Sequence, residues 1–400
     1  MPDWDSFEAF LAEVEQEDNA KQRQDLINVL LRQQTTWPWV DGRRATFIYS
    51  RMGVSSAALN LDTIKEDPPF VPMTQIEGTS LWHVTREFEP DDLLDYLLAI
   101  DDPMTPLAQE KNLVERVTKH WMTDPLNALQ LKTAQINVSV LRMPKARPFP
   151  DWAAMPAVPQ GAMTDHFIDS AHLGFENRRV WIYTPPGYDS SREYPVLLLM
   201  DALWCTGPLQ VPAIADALIK HRRMAPAIIA MIQSPVQEDR PRELMSNDRH
   251  VLFLLTELLP FVRNHYRVNL QDVGVGGVDV GAVAAAHAAL SSPAAFSRLL
   301  MISPPLQGGG RDAGEASLWN YRLRFEEAAH LPRRIFQAVG RYEHPNRFLK
   351  PARQLADVLR HRDEAAFNYV EYGSGHGLVG FKSILPEALA WVLPGEEATS

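Results

Sequence analysis

Three side chains in the second half of the sequence have the types and the order that acid–base or nucleophilic catalysis requires. Asp279 stands at the centre of a Gly-x-Asp-x-Gly segment, between an apolar run and a helical pattern. Glu343 follows a later apolar run, and His376 follows the last one, within Gly-Ser-Gly-His-Gly. A reactive group, an acid and a histidine in this chain order are typical of a large class of hydrolase sites. We therefore expect all three to be catalytic, with Glu343 orienting His376 and His376 acting as a general base.

The segment from Gly277 to Gly281 predicts a sharp turn that raises Asp279 out of the strand that precedes it. Glycine on both sides lets the chain turn tightly between strand and helix, as in a nucleophile elbow. The helix behind the turn would offer backbone N–H groups to an oxyanion that develops during the reaction. A serine usually occupies the central position, and no Gly-x-Ser-x-Gly segment occurs anywhere in this sequence.

The elements that must position these residues follow from the pattern after about Gly161, where apolar runs alternate with helical segments. Near-continuous apolar strands are typical of a parallel sheet that is covered on both faces, and alternation with helices favours a doubly wound α/β domain. We therefore predict an α/β fold, an α/β-hydrolase domain with a mostly parallel sheet, over residues 161–396. The predicted strands are 180–183, 196–200, 227–232, 273–278, 299–302 and 335–339, and the predicted helices are 251–266 and 282–290.

The first part of the chain predicts a different architecture. Apolar residues at helical spacing indicate an N-terminal helical segment over residues 1–36. Short strands separated by Gly, Pro and Asp turns then favour a small β-sandwich, immunoglobulin-like, over residues 37–142. A cluster of prolines predicts a linker over residues 143–160. The strands expected in the sandwich are 45–49, 57–61, 80–86 and 95–100.

Composition narrows the classes of partner. The formal net charge of -11 disfavours binding to nucleic acid or to an anionic membrane surface. Cys205 is the single cysteine, so no intramolecular disulfide can form, and the histidines show no metal-ligand spacing. We expect no metal and no cofactor.

The acidic N-terminus does not resemble a signal peptide, and no apolar run approaches the ~20 residues of a membrane span, so we expect a cytoplasmic protein.

Several motifs together resemble those of the enterochelin (ferric enterobactin) esterases, within the wider esterase D superfamily. The similarity extends over nearly the whole chain, with aspartate in place of the nucleophilic serine. The segments that carry it are 178–188, 194–201 with Trp204, Arg240 with 243–244, 257–260, and 78–82 in the predicted β-sandwich.

The resemblance implies an activity and a set of roles. Members of this family cleave ester bonds of catecholate siderophores, so that iron can be released. By resemblance, Asp279 occupies the nucleophile position, Glu343 is the acid and His376 is the base. The resemblance also implies an oxyanion hole formed by the backbone N–H of Val280 and by one near Ala202 and Leu203.

Three further residues are candidates for substrate binding. Trp204 lies on a predicted loop beside the site, where its ring could line a cleft. Arg240 and Arg341 belong to a set of arginines that could hold an anionic ligand such as a catecholate; the alternative is that they are solvated or paired within the protein. The expected partner is therefore a small-molecule substrate or ligand, not nucleic acid or a membrane. A homodimer through the β-sandwich is the alternative to a domain that covers the cleft.

An aspartate at the turn allows more than one chemistry. Haloalkane dehalogenases and epoxide hydrolases of this fold use such an aspartate to attack an sp3 carbon, and a histidine-activated water then cleaves the alkyl ester. Attack on an ordinary ester is less favourable, because carboxylate is a poor nucleophile toward acyl carbon and the product would be an anhydride. Asp279 could instead act as a general base on water, or be an inert residue stabilised by about 0.3–1 kcal/mol at a helix N-terminus.

Two functions follow from these alternatives. The first is a hydrolase, of the carboxylic ester hydrolase type, that acts on an ester-like or other electrophilic, siderophore-like small molecule. The second is a catalytically inactive pseudo-esterase that binds a ligand or a partner protein. Loss of the serine, together with Ala282 and Ala202 where the family has glycine, motivates the second function, whereas the presence of an acid and a histidine at the expected positions motivates the first.

Overall fold

A computed structural model describes residues 4–133, 136–306 and 320–396 of the chain. The packing of the backbone divides it into two compact units. The first unit comprises residues 1–147 together with 373–380, and the second comprises residues 148–372 together with 381–400. The predicted helical segment, 1–36, and the predicted sandwich, 37–142, each include residues outside the described ranges, namely 1–3 and 134–135.

The first unit contains two sheets whose paired strands are antiparallel. One sheet has the order β1-β2-β6-β5, and the other has the order β4-β3-β7-β10-β9, with β8 also paired to β7. Phe47 of the first sheet packs edge-on against Tyr96 of the second, with ring centroids 4.9 Å apart. The strands are β1 Trp39–Asp41, β2 Arg44–Ser50, β3 Ala57–Leu61, β4 Phe70–Pro72, β5 Thr74–Gln75, β6 Leu81–Glu87, β7 Leu93–Ile100, β8 Trp121–Met122, β9 Gln130–Leu131 and β10 Val138–Arg142.

Two helices, Phe7–Gln16 and Ala20–Gln33, precede these sheets where the sequence predicts one helical segment. The break arises because the Asn19 side chain accepts hydrogen bonds from the N–H groups of Lys21 and Gln22 and so caps a new helix. The apolar faces of both helices join one cluster with residues of β2 and β6. A third helix, Leu113–His120, and a 3-10 turn, Leu107–Gln109, were not expected from the sequence.

The second unit is built on one sheet of eight strands with the order β11-β12-β14-β13-β15-β16-β17-β18. The first two strands pair antiparallel, β12 pairs antiparallel with β14, and the remaining pairs are parallel. The structure therefore confirms the α/β-hydrolase fold. The strands are β11 Ala162–Ser170, β12 Phe175–Thr184, β13 Tyr194–Leu199, β14 Ile228–Ile232, β15 Val268–Val278, β16 Arg298–Ile302, β17 Arg334–Gly340 and β18 Ala366–Tyr372.

Helices follow most of the parallel strands, and side chains from both kinds of element form the main apolar core. The predicted helix 251–266 is composite: a π-helical stretch, Phe253–Leu258, joins Asp248–Leu252 to Leu259–His265. Edge strand β11 was not predicted, because most of its residues are exposed and it lacks an apolar run. The other helices are Ala202–Thr206, Val211–Lys220, Arg240–Leu244, Val280–Ser291, Tyr321–Glu327, Lys350–Leu359 and Leu378–Val392, with short helical turns at Trp152–Ala154 and Pro345–Leu349.

Candidate active site

The turn that carries Asp279 has the backbone geometry of a nucleophile elbow. Strand β15 ends at Val278, and the next helix begins at Val280, so Asp279 alone makes the turn. Its φ of 50° and ψ of -127° lie in a region that L-amino acids rarely adopt. A Cβ atom on Gly277 would lie 2.5 Å from the carbonyl carbon of Gly281, so no larger residue fits between strand and helix. The predicted spacing therefore produces the predicted turn, with a carboxylate at its tip.

That carboxylate belongs to a buried network of charges. Arg240 donates one hydrogen bond to Asp279 Oδ2 from Nη1, at 3.0 Å. It donates two more to Asp201, from Nε to Oδ1 and from Nη2 to Oδ2, each at 2.7 Å. The side chains of Arg240 and Asp201 are 5% and 4% exposed, and that of Asp279 is 15% exposed. One guanidinium thus joins two carboxylates, in the bidentate geometry that favours arginine over lysine.

Neighbouring groups hold this network in place. Burial alone would lower the pKa of Arg240, but hydrogen bonds and charge from Asp201 and Asp279 outweigh burial and raise that pKa. The Ser234 hydroxyl donates to Asp201 Oδ1. The guanidinium also lies over the Trp204 ring, 4.7 Å from its centroid. Arg240 and Trp204, two of the predicted substrate-binding residues, therefore contact each other beside Asp279.

Backbone N–H groups suited to an oxyanion stand at two helix starts. Val280 is the first residue of the helix behind Asp279, and its N–H belongs to the first turn, where no intrahelical acceptor exists. Ala202 and Leu203 open the short helix that follows Asp201. A Cβ on Gly281 would lie 2.6 Å from Asp201 Oδ2, so the two helix starts are close together.

Glu343 is 1% exposed, within a pocket of hydrogen-bond donors. Its Oε1 accepts from the N–H of Gly340 at 2.6 Å and from the hydroxyl of Ser303. That hydroxyl also lies 2.9 Å from the hydroxyl of Tyr372. Ser303 follows β16, whose last residue, Ile302, accepts a hydrogen bond from the N–H of Asp279 at 2.9 Å. The turn of Asp279 and the pocket of Glu343 are therefore joined through adjacent residues of one strand end.

The predicted histidine lies in the short segment that packs with the first unit. His376 has an exposed side chain, between Gly375 and Gly377. The carbonyl of Gly373 accepts a hydrogen bond from the N–H of Leu93, at the start of β7, at 2.7 Å. Asp279 and Glu343 belong to the second unit. The catalytic roles of all three residues stay predictions.

Arg341, the remaining predicted binding residue, follows β17 directly. Its backbone N–H donates to the carbonyl of Tyr372 at 2.8 Å, and its guanidinium lies 6.0 Å from the Tyr342 ring centroid.

Cys205 is buried close to Asp201, and burial, followed by the charge of Asp201, raises the pKa of its thiol. A buried thiol with a raised pKa is a poor nucleophile, so Cys205 does not replace the missing serine.

Sequence reasoning missed Asp201, Ser303 and Ser234 as parts of the site. Their side chains act through partners that lie far away in the chain: Arg240 is 39 positions from both Asp201 and Asp279. Because the pairing of two buried residues depends on the fold, it cannot be inferred from either residue alone. One available signal was the position of Asp201 and Ser303, two residues after β13 and one residue after β16, where parallel sheets of this kind carry their functional side chains.

Comparisons with known proteins agree with this architecture. The putative esterase family matches residues 170–392. The iron(III) enterobactin esterase of Dickeya dadantii is 25% identical over 351 residues, which cover 81% of this chain and 80% of that protein. The iron(III) salmochelin esterase of Escherichia coli O6:H1 is 25% identical over 281 residues, 66% of each chain. The crystal structure of a ferric enterobactin esterase from Salmonella typhimurium matches with a TM-score of 0.73 at 21% identity, over 91% of this chain and 98% of that one.

The described residues contain neither a metal-binding cluster nor a membrane-spanning helix. No group of three or more His, Cys, Asp or Glu side chains in residues 4–133, 136–306 and 320–396 is arranged to hold a metal ion. Within the same residues, no helix has the length and apolar character needed to cross a membrane. The family match spans more than half of the chain and includes Asp279, Glu343 and His376. This chain belongs to the putative esterase family.

Proposed function

We propose that this protein hydrolyses a siderophore-type ester and that Asp279 serves as the base that activates water. The observation that carries the proposal is the turn of Asp279, which raises a carboxylate next to the backbone N–H of Val280, a first-turn N–H without an intrahelical acceptor. Two curated relatives that are similar over most of this chain are named as esterases of iron-loaded siderophores. Their names motivate the substrate class, and the catecholate character of the substrate is part of the proposal.

The proposed reaction avoids a covalent intermediate. Water attacks the ester carbonyl carbon and passes one proton to Asp279, while the oxyanion accepts hydrogen bonds from the N–H of Val280 and from one near Ala202 or Leu203. Collapse of the tetrahedral intermediate breaks the bond to the alkoxide. His376, oriented by Glu343 as in the sequence-based prediction, starts in its protonated form and gives that proton to the alkoxide, so that an acid and an alcohol leave. The proton on Asp279 then passes to solvent and His376 takes one up from solvent, which restores the starting state.

Arg240 has a positioning role in this proposal. Its guanidinium donates a hydrogen bond to Asp279 Oδ2 and is itself held in orientation by a hydrogen bond to Asp201. In the proposed reaction the carboxylate of Asp279, held in this way, accepts the proton of water. Trp204 lies on the guanidinium and is partly exposed, as is expected of a side chain that also contacts an aromatic ring of the substrate.

A second function is favoured by the same ion pair. Pairing with Arg240 weakens a carboxylate as a base and as a nucleophile, and the side chain of Asp279 is only 15% exposed. A site of this kind could bind a siderophore ester without cleaving it. The second candidate is therefore a pseudo-esterase that binds the same class of ligand.

One series of measurements distinguishes these functions. Hydrolysis of enterobactin, of its ferric complex and of a panel of aryl esters would be followed by chromatography for the native protein and for Asp279→Asn and Asp279→Ser. Binding would be measured by tryptophan fluorescence. Base catalysis predicts turnover by the native protein that falls about 100-fold or more in Asp279→Asn, without a burst of acylated enzyme. Ligand binding by the native protein without turnover, combined with activity in Asp279→Ser, would favour the pseudo-esterase.

Location and assembly remain predictions from the sequence. The acidic net charge of -11 argues against nucleic-acid partners, and the cytoplasmic location stays an expectation. Size-exclusion chromatography with light scattering would decide between the monomer and the homodimer.

A further inference from the structure

The segment that contains His376 packs on two aspartates of the first unit. A Cβ on Gly375 would lie 2.1 Å from Asp62 Oδ2, and a Cβ on Gly377 would lie 3.0 Å from Asp95 Oδ2. Glycine is therefore required at 375, because any side chain there would collide with a buried carboxyl group. His376 lies between the two contacts, with its own side chain exposed.

These two aspartates form a buried pair. Asp62 follows β3 and Asp95 lies in β7, strands that are neighbours in one sheet. The oxygens Asp62 Oδ1, Asp62 Oδ2 and Asp95 Oδ1 are buried, and no conventional donor among the described residues makes a well-formed hydrogen bond to them. Two carboxyl groups can satisfy each other only if one of them carries a proton.

The charges around the pair favour that protonated form. Burial, followed by the charge of Asp95 and a hydrogen bond to it, raises the pKa of Asp62 well above its usual value. Burial also raises the pKa of Asp95. Lys65 opposes the shift at Asp62, while its ammonium group donates to the backbone carbonyl of Asp62 at 3.0 Å. The N–H of Gly375 points toward Asp62 and also opposes the shift.

Burial of two carboxyl groups side by side is unfavourable for folding, since an apolar pair of similar volume would avoid the desolvation of charge. Such an arrangement is expected where it serves a function. The pair is in contact with the segment on either side of His376.

We propose that Asp62 and Asp95 share one proton and together hold the segment 373–377, so that they position His376 for proton transfer. They are positioning residues, and the proposal rests on the function proposed above for His376. Proton loss would leave two adjacent carboxylates, whose repulsion would release the segment. Among the described residues, Lys65 is the charged group that acts on Asp62 besides Asp95, and Asp92 lies against the start of the segment, with its Oδ1 2.8 Å from where a Cβ on Gly373 would be. His376 is the titratable group on the segment itself.

The test is hydrogen exchange of the amides in residues 373–380, expressed as protection factors at pH 6 and pH 9, for the full chain. The native protein should lose protection between pH 6 and pH 9. Asp62→Asn supplies a permanent donor to Asp95, and it should keep protection at both values. Asp62→Val removes the polar partner and should lower protection about tenfold at both values, as expected for a buried group left without its partner.

Asp124→Asn is the matched control, because Asp124 is a buried aspartate of the same unit that is bound instead by the hydroxyl of Tyr96. It should leave protection in 373–380 as in the native protein. If Asp62→Val fails to fold, the pH dependence of protection in residues 373–380 can still be compared between Asp62→Asn and the native protein. Equal pH dependence in these two proteins would overturn the proposal.

Activity gives a second readout. If Asp62→Asn keeps its kcat to higher pH than the native protein, the pair positions a group that takes part in turnover. A native protein without turnover would contradict the proposed function, whereas the exchange result would stand independently.

Discussion

Arg240 Nη1 lies 3.0 Å from Asp279 Oδ2, so the residue at the tip of the nucleophile elbow is one half of an ion pair. The other face of the same guanidinium is held by Asp201 through two hydrogen bonds of 2.7 Å. In a serine hydrolase the group at this position must accept a histidine as its base. Here the residue at this position is a carboxylate that Arg240 holds in place through a hydrogen bond.

Replacement of Arg240 by Gln should destabilise the protein strongly. The change leaves Asp201 and Asp279 without their counter-ion in a buried site, which typically costs about 3–5 kcal/mol. Urea unfolding monitored by fluorescence would measure the loss. Arg242→Gln is the matched control, because Arg242 is 82% exposed in its ion pair with Asp239, and that change should cost less than about 1 kcal/mol. Similar losses in both variants would contradict the importance of the buried pair.

Replacement of Ser303 by Ala should affect both stability and turnover. The change removes the hydroxyl that contacts Glu343 and Tyr372, and the loss of one partner of a buried charged group costs about 1–3 kcal/mol. If Glu343 orients the histidine, kcat should also fall, with a smaller effect on KM. Thermal unfolding and steady-state kinetics would be compared with Ser297→Ala, a serine of the same unit outside this pocket. A loss of stability with an unchanged kcat would show that Ser303 has only a structural role.

Replacement of Gly281 by Ala should disrupt the site. The added methyl would lie 2.6 Å from Asp201 Oδ2, so either Asp201 or the first turn of the helix must move. We expect the variant to lose most of its ligand affinity while the rest of the sheet stays folded. Circular dichroism and the fluorescence binding measurement would test this expectation. Unchanged affinity would mean that Asp201 is free to shift without consequence for the ligand.

The buried carboxyl pair predicts a specific dependence of stability on pH. Because the pKa of Asp62 is raised in the folded state, the folded chain binds more protons than the unfolded chain once pH exceeds the unfolded value of about 3.9. The free energy of unfolding should therefore fall as pH rises from that value toward the folded pKa. Asp62→Asn removes this contribution, so its stability relative to the native protein should be higher at pH 8 than at pH 5. The measurement is urea unfolding of both proteins at pH 5 and at pH 8. If the pair does not titrate, the difference in free energy of unfolding between the two proteins will be the same at both pH values.

The elbow could be predicted from sequence because its constraints are local. Glycine at 277 is demanded by a contact with Gly281, four residues away, so the spacing alone indicates the turn, whereas glycine at 281 is demanded by Asp201, 80 positions away. The parallel strands were also accessible, since each is a nearly continuous apolar run. The exposed edge strand β11 was missed because its side chains are mostly polar, and hydrogen bonding to β12 determines its structure.

The charge network could not be predicted for the opposite reason. The sequence singles out Arg240 but not its partner Asp201, because their pairing joins the end of strand β13 to the start of a helix that lies beside it only in the folded chain. The contacts of Gly375 with Asp62 are more distant still, since they join positions at opposite ends of the chain. Sequence patterns identify which residues could react, whereas long-range packing decides their partners.

The path of the chain through residues 373–380 limits how such a protein could be shortened or recombined. After β18 the chain is assigned to the first unit for eight residues, 373–380, and to the second unit again from the first turn of the helix Leu378–Val392. A fragment that began at residue 148 would carry this stretch without the strands on which it packs. The N-terminal unit is therefore not an interchangeable module. Gene fusions that exchange it would have to supply a matching surface for a segment encoded more than 200 codons away.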